Sequence, residues 1–429
     1  MLFTLEVLKA REGDCLLLHW GSKSAPNLAI IDGGPGNIYE TILRPRLDAI
    51  AANRGLQQLV AELVMVSHAD SDHVNGIKKF FDDLVSSIGQ GSPPIRAERL
   101  WHNIFDDIIG NELNAHYKKF TASFEASSTG APKPDTVDKL TKAFEQRNPG
   151  MNAANARHAA WDVSLLLAGH KEARQLRDAH KALSDVGMTR GLNNPFANTL
   201  ITAEMTPKAL AFKNLSIRIV GPLKAEIDAL QKEYDKFLAD KDLDTGEAAL
   251  AAYADESAKN LSSIVCIIES GKGKAKRSML LTGDARGDKI LEGLRKIKRL
   301  KSTPGASVHF DLFKVPHHGS DHNAEPDFFN SITADHYVLS GDGKHGNPER
   351  ETIRWIVDAR GKDARYTLHF TYKIGDIDGK RKAEAGAKWK TERDSLAVFL
   401  NAKKAEGFAF NIVENAPILI ELGDEMVAW

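Results

Sequence analysis

Between Val64 and Gly76 the chain reads V-M-V-S-H-A-D-S-D-H-V-N-G, and no other stretch constrains the fold as strongly. The apolar, β-branched run ending at Val66 predicts a buried strand. Its end releases His68, Asp70, Asp72 and His73 within six residues. Two imidazoles and two carboxylates crowded at a strand end repel one another or lose hydration at high cost, whereas one or two divalent cations satisfy all four. The plain alternative is a solvated acidic turn that happens to hold two histidines. Ile77, Phe80, Phe81 and Leu84 then recur at helical spacing, so the loop is expected to enter a helix from Val74 to Leu84 with Asn75 as its cap.

Around this stretch, Leu2 to Leu8, Cys15 to Trp20 and Leu28 to Ile31 are short apolar runs that predict an antiparallel meander. The third ends in Asp32-Gly33-Gly34-Pro35-Gly36, whose glycines permit close approach of another element. A helix is expected from Tyr39 to Asn53. From Ile95 to Pro207 strand signals nearly vanish, and Ile104 to Phe124, Val137 to Gln146 and Ala154 to Val186 carry helical spacing. This predicts three parts: residues 1–95 as the first half of a domain, 96–207 as a helical insertion or cap, and 208–429 as the second half with a C-terminal extension. Aromatics of the insertion, Trp161 among them, fit a helical core better than a base-stacking platform.

In the second half, strands are expected at Leu215 to Val220, Ser262 to Glu269, Ser278 to Thr282 and Tyr337 to Ser340. Leu223, Ile227, Leu230, Tyr234 and Phe237 mark one helix face. The basic tip from Gly271 to Arg277 reads as solvated, with phosphate contact as the alternative. Asp284 ends one apolar run, and His317, His318 and His322 follow another. Carboxylates and imidazoles on three separate strand ends suit an open two-metal hydrolytic site. Gly341 to Gly346 matches G-x-G-x-x-G, but the Asn347-Pro348 that follows and the late chain position argue against a dinucleotide fingerprint.

With 57 Lys+Arg against 58 Asp+Glu, no global basic field is present to attract nucleic acid, so such binding requires a local patch. Cys15 and Cys266 each sit inside an apolar run, which predicts small buried hydrophobes rather than a disulfide. No run approaches the roughly 18 apolar residues of a membrane span, and Met1 to Ala10 lacks a signal-peptide plan. The expectation is a cytoplasmic protein with no membrane partner.

Gly13-Asp14, Asp32-Gly33-Gly34, Ser67-His-Ala-Asp-Ser-Asp-His73, Asn260-x-Ser262, Leu281-Thr-Gly-Asp284, Lys314-Val-Pro-His-His-Gly-Ser320 and Gly343-Lys-His-Gly-Asn-Pro348 together carry a resemblance. The sequence resembles the metallo-β-lactamase-fold hydrolases, and most closely the hydrolase domain attached to DNA-uptake competence proteins of the ComEC type. The resemblance spans about two thirds of the chain, leaving out the insertion and the tail beyond Asp358. It implies an α/β fold, the αββα sandwich of two mixed β-sheets flanked by helices. It also implies that Asp72, His73, Asp284 and one of His317 or His318 hold one metal, with Asp284 bridging to a second at His68 and Asp70.

Asp70 stands where most such proteins have histidine, and Asn260 lies nearest the place of another missing histidine. Oxygen in place of imidazole shifts the expected ion from Zn²⁺ toward Mn²⁺ or Mg²⁺. The implied activity is hydrolysis of a phosphodiester, with nucleic acid as a candidate substrate, through a metal-bound hydroxide that Asp72 orients. His345 is expected either to stabilise the oxyanion or protonate the leaving group, or simply to bond backbone. Asn260, Ser320, His322 and Lys344 are the candidate substrate contacts. The alternatives are hydrolysis of a small molecule (a cyclic nucleotide, thioester or lactone) and a silent binding or sensor module.

Overall fold

The computed structural model describes residues 1–103, 134–147, 149–151, 153–197, 199–228, 263–322 and 324–427. In chain order its strands are β1 (Leu2–Val7), β2 (Leu16–Ser22), β3 (Ala25–Ile31), β4 (Leu59–Ala61), β5 (Leu63–Val66), β6 (Ile95–Ala97), β7 (Leu100–His102) and β8 (Leu210–Phe212). There follow β9 (Leu215–Gly221), β10 (Val265–Ser270), β11 (Arg277–Leu281), β12 (Val308–Lys314), β13 (Ile332–Leu339), β14 (Tyr366–Phe370), β15 (Phe410–Glu414) and β16 (Ile418–Glu421). One sheet has the order β16-β1-β2-β3-β5-β7, a second the order β15-β14-β13-β12-β11-β10-β9-β8, and β4 pairs with β6. Both large sheets are mixed. The meander β1-β2-β3 is antiparallel and continues in parallel through β5 and β7, while antiparallel β9-β10-β11 continues in parallel from β12 to β15.

Period-two alternation decides which side chains meet. Leu16, Leu18 and Trp20 join Phe3, Leu5 and Val7 in a core shared with Ile217, Ile219, Cys266, Met279 and Leu312 of the other sheet. Leu17 points the opposite way, with Leu28, Ile30, Val64 and Val66, onto α1 (Arg44–Asn53) and α2 (Ser71–Ser86). On the far side, Leu280, Phe313, Tyr337 and Leu368 pack against later helices through Ile290, Leu294, Ile353 and Ile356. The result is a mixed α/β sandwich with helices outside both sheets. Truncating a fully buried anchor of these layers such as Phe80 costs about 3–5 kcal/mol.

Several expectations are corrected in detail. The helix after β5 starts at Ser71 rather than Val74, because Asp70 is extended and its carbonyl already accepts the N–H groups of His73 and Val74, both at 3.0 Å. Asn75 therefore lies inside the helix, and Asp72 and His73 ride on its first turn. β6 straddles the boundary at 95/96 and β7 falls within residues 96–207, where it extends the first sheet by pairing with β5. Of the two insertion helices described, α3 (Pro134–Arg147) and α4 (Ala153–Asp185), the second places Ala173, Leu176 and Leu183 in one core with Phe80 and Phe81. The tail is integral too, since β16 returns to pair with β1. The expected helix Ile104 to Phe124 and Leu230, Tyr234, Phe237, Asn260 and Ser262 lie outside the described residues.

Candidate metal centre

The strand ends of both sheets meet along one edge. Asp14 lies between β1 and β2, Asp32 follows β3, His68 follows β5, Asp284 follows β11, and His317 and His318 follow β12. Three glycines allow the loops to close on the first turn of α2. A Cβ on Gly33 would stand 2.4 Å from the Ile77 nitrogen, one on Gly76 2.0 Å from the Gly33 carbonyl oxygen, and one on Gly13 2.0 Å from the Asp72 carbonyl oxygen. Any side chain there pushes the helix, and with it Asp72 and His73, away from the edge.

Within this edge the Nε2 atoms of His73 and His318 approach to 3.3 Å. His73 Nε2 is 3.4 Å from Asp284 Oδ1 and 3.7 Å from Asp72 Oδ2, while His318 Nε2 is 3.4 Å from Asp284 Oδ2 and 3.3 Å from Asp72 Oδ2. Ligand atoms of Asp14, His73, Asp284 and His318 all fall within 4.8 Å of one another, and all four residues are buried. A second group shares Asp284: His68 Nε2 lies 3.7 Å from its Oδ2 and 3.5 Å from Asp70 Oδ2, and His317 Nε2 lies 3.9 Å from the same Oδ2.

The opposite face of three rings is tied back. His73 Nδ1 lies 3.0 Å from Asp32 Oδ2, His318 Nδ1 2.9 Å from Ser340 Oγ, and His68 Nδ1 3.0 Å from Ser67 Oγ. Asp32 in turn accepts from the Ser67 N–H at 2.7 Å and its hydroxyl at 2.8 Å. Outer partners of this kind fix the tautomer of a ligating imidazole and aim its free nitrogen. Lys314, fully buried, pairs with Asp14 at 2.9 Å and donates to the Val315 carbonyl at 2.9 Å. Asp32, His317 and His318 all hold left-handed backbone, at φ 57°, 49° and 53°. Each costs a non-glycine residue about 1–2 kcal/mol, a strain that the surrounding hydrogen bonds must offset.

The electrostatics describe a site short of positive charge. Burial works to raise the Asp284 carboxyl, but the imidazoles of His318, His73, His317 and His68 outweigh it and hold the group well below the carboxylate range. Asp72 is likewise lowered, by His73 and His318 against burial. Burial opposes charge on His73 and His318, yet Asp284 and the other carboxylates draw both well above the ordinary imidazole value. Asp70 is raised, chiefly by burial. Two protonated Nε2 atoms cannot face each other at 3.3 Å, whereas one cation replaces both protons. His68 Nε2, Asp70 Oδ1 and Asp72 Oδ1 are moreover buried with no hydrogen-bond partner. Such groups carry a desolvation cost of about 1–3 kcal/mol each unless an ion or water meets them. The donor set therefore fits one or two divalent cations.

Not every expected residue joins this cluster. Of the two candidates for one ligand position, both reach Asp284, with His318 deeper and His317 at the rim. Ser320 is buried and closes the turn, its N–H donating to the His317 carbonyl at 2.9 Å. His322 is exposed, 3.8 Å from Asp321. Lys344 pairs with Glu12 at 2.6 Å. His345 stacks on Trp161 of α4 with ring centroids 3.9 Å apart, and its N–H donates to Glu384 at 2.9 Å. Conversely, Asp14, Asp32, Ser67, Lys314 and Ser340 support the cluster without having been assigned a role from sequence. Asp14, Asp32, Ser67 and Lys314 stood within the motifs that carry the resemblance, and Ser340 only at the end of an apolar run.

No family model matches the chain. Over 72 residues it is 35% identical to microtubule-associated protein 1A of Homo sapiens and 33% identical to that of Mus musculus. The matched part is 16% of this chain, and the chain spans about 3% of the length of these relatives.

Proposed function

We propose that the chain is a metal-dependent hydrolase on a metallo-β-lactamase-type αββα sandwich, acting on phosphodiesters with nucleic acid among its substrates. The observation that carries this reading is the convergence of two imidazole Nε2 atoms and two carboxylates on one buried point while each ring's Nδ1 is held from behind. Asp72, His73, Asp284 and His318 would hold one cation, and His68, Asp70 and Asp284 a second. A divalent ion in such a site supplies Lewis acidity and lowers the pKa of a water molecule.

This chain's own residues do the rest. Asp72, with one buried carboxylate oxygen left over, is placed to accept a hydrogen bond from the attacking water and so orient it. Lys314 and Asp14 form a buried pair behind His318 that fixes its ring. Hydrolysis of a small molecule is the second reading, favoured by the net charge of -1.

The test is turnover by metal-stripped protein refilled with Mn²⁺, Zn²⁺ or Mg²⁺. Substrates are an aryl phosphodiester, single-stranded and duplex DNA, RNA, a cyclic dinucleotide and a lactone. The oxygen-rich ligand set predicts that Mn²⁺ activates best and that Asp284→Asn loses at least about 100-fold in turnover. Normal turnover by Asp284→Asn would refute the assignment, and activity confined to the lactone would favour the second reading.

A further inference from the structure

Two runs free of acidic residues, Gly271 to Arg277 and Arg295 to Lys301, lie apart in the sequence but meet in the fold. Lys276 and Arg299 share one carboxylate, that of Glu269, at 2.8 and 3.5 Å. The first run is the β10–β11 tip and the second continues the C-terminal end of α5 (Gly287–Lys296). Lys272, Lys274, Lys276, Arg295, Lys296, Lys298, Arg299 and Lys301 are all exposed. Among the described residues Lys272, Lys274, Arg295, Lys298 and Lys301 have no carboxylate partner within ion-pair distance. In a chain of net charge -1 this is a concentrated local excess of positive charge.

We infer that this face binds the phosphate backbone of nucleic acid, independently of base sequence. Each exposed cation without a carboxylate partner that reaches a phosphate releases counterions condensed on the nucleic acid, and that release favours binding. Neither run offers an exposed large apolar side chain, since those of the described residues lie elsewhere, at Leu56, Ile88, Val186, Met205, Val413, Leu419 and Met426. An anionic membrane surface or a peptide ligand ordinarily adds apolar contact to charge. Neither run holds an aromatic side chain on which a base could stack, so the contact reads backbone and not sequence.

Its placement separates it from the metal centre. β10 begins beside that edge, where the Ile264 N–H donates to the Ser67 carbonyl at 2.8 Å, and runs away from it for six residues to Ser270. At about 3.3 Å per residue the basic face lies roughly 20 Å from the candidate metal site. It would anchor a strand whose other part reaches the strand-end edge, which deepens the phosphodiesterase reading and rests on it only for that last step.

The test uses the whole chain with Lys272, Lys274, Arg295, Lys298 and Lys301 changed to Gln, a set outside the candidate metal machinery. Binding of fluorescent duplex and single-stranded DNA of unrelated sequences is measured against salt, beside vesicles of anionic lipid. For the unaltered protein the expectation is salt-dependent binding of either sequence. For the variant it is at least tenfold weaker binding, with the duplex log K against log salt slope shallower by about four. Metal content, thermal midpoint and aryl phosphodiester turnover should stay unchanged. Equal affinity and slope in the two proteins, or binding to vesicles without binding to DNA, overturns the inference. Weakened DNA binding in proteins that hydrolyse nothing would leave the surface standing and remove the hydrolase reading.

Discussion

His317 and His318 differ at the residue scale in a way that yields a prediction. His318 has Nδ1 2.9 Å from the Ser340 hydroxyl and Nε2 within 3.4 Å of both Asp72 and Asp284, whereas His317 Nε2 stands 3.9 Å from Asp284 at the rim. His318→Ala is therefore expected to lower metal affinity by at least about tenfold, and His317→Ala by less, as read from metal titration of stripped protein. Equal losses would mean that the rim imidazole carries as much of the site. Away from the site, His336 Nδ1 and His369 Nε2 stand 2.9 Å apart, and burial with the neighbouring imidazole pushes His369 down to about 3. Its folded-state value lies below the unfolded one, so the unfolded chain takes up the proton first as pH falls. The stability of this neutral pair is full above about pH 6.5 and is lost toward pH 3, at about 1.4 kcal/mol per pH unit. Urea midpoints at pH 7 and pH 5 should fall further apart in the unaltered protein than in His369→Gln. Identical pH dependence would contradict the sign of this shift. His68, Asp70, Asp72 and His73 stood out in the sequence because four potential ligands crowd six residues. Asp14 and Asp32 belonged to motifs that carry the resemblance but had no role assigned, because an aspartate after a strand is ordinarily a turn or cap residue, and their role shows in the tertiary approach to His318 and His73.

At the scale of elements, the strand-loop-helix around His68 was legible because apolar periodicity changes from one run to the next. The start of α2 was not, since nothing in the spacing tells that the Asp70 carbonyl begins the turn. β6 and β7 are three residues each, too short for alternation to register. The insertion shows a further limit of spacing arguments. Periodicity marks α4 as a helix but cannot say that Ala173, Leu176 and Leu183 rest on α2 while Trp161, about three turns earlier, rests on His345. Deleting 134–190 would uncover Phe80 and Phe81, each worth about 1.5–3 kcal/mol in burial. Such a truncation is expected to aggregate or to lose thermal stability outright. Trp161→Ala, by contrast, should leave metal content and thermal midpoint near normal while lowering turnover about tenfold, because His345 and Lys344 lose the ring that both contact. Trp161→Phe should recover most of it. Unchanged turnover in Trp161→Ala would make the stack a packing contact only.

For the whole molecule, many short apolar runs with helices between them predicted a mixed α/β fold, while the pairing of two sheets in a sandwich was what the resemblance implied. Which ends of which strands share an edge is a matter of sheet order, which the chain's linear pattern does not carry: β16 closes the first sheet from more than 400 residues away. That edge makes the central claim testable by one measurement, calorimetric titration of metal-stripped protein with Mn²⁺ beside the same titration of Asp72→Ala/Asp284→Ala. The account predicts binding of one to two equivalents by the unaltered chain, with release of protons from the imidazoles that the carboxylates had held charged, and no such binding by the double variant. Absence of binding in the unaltered chain, or equal binding in both, would contradict it.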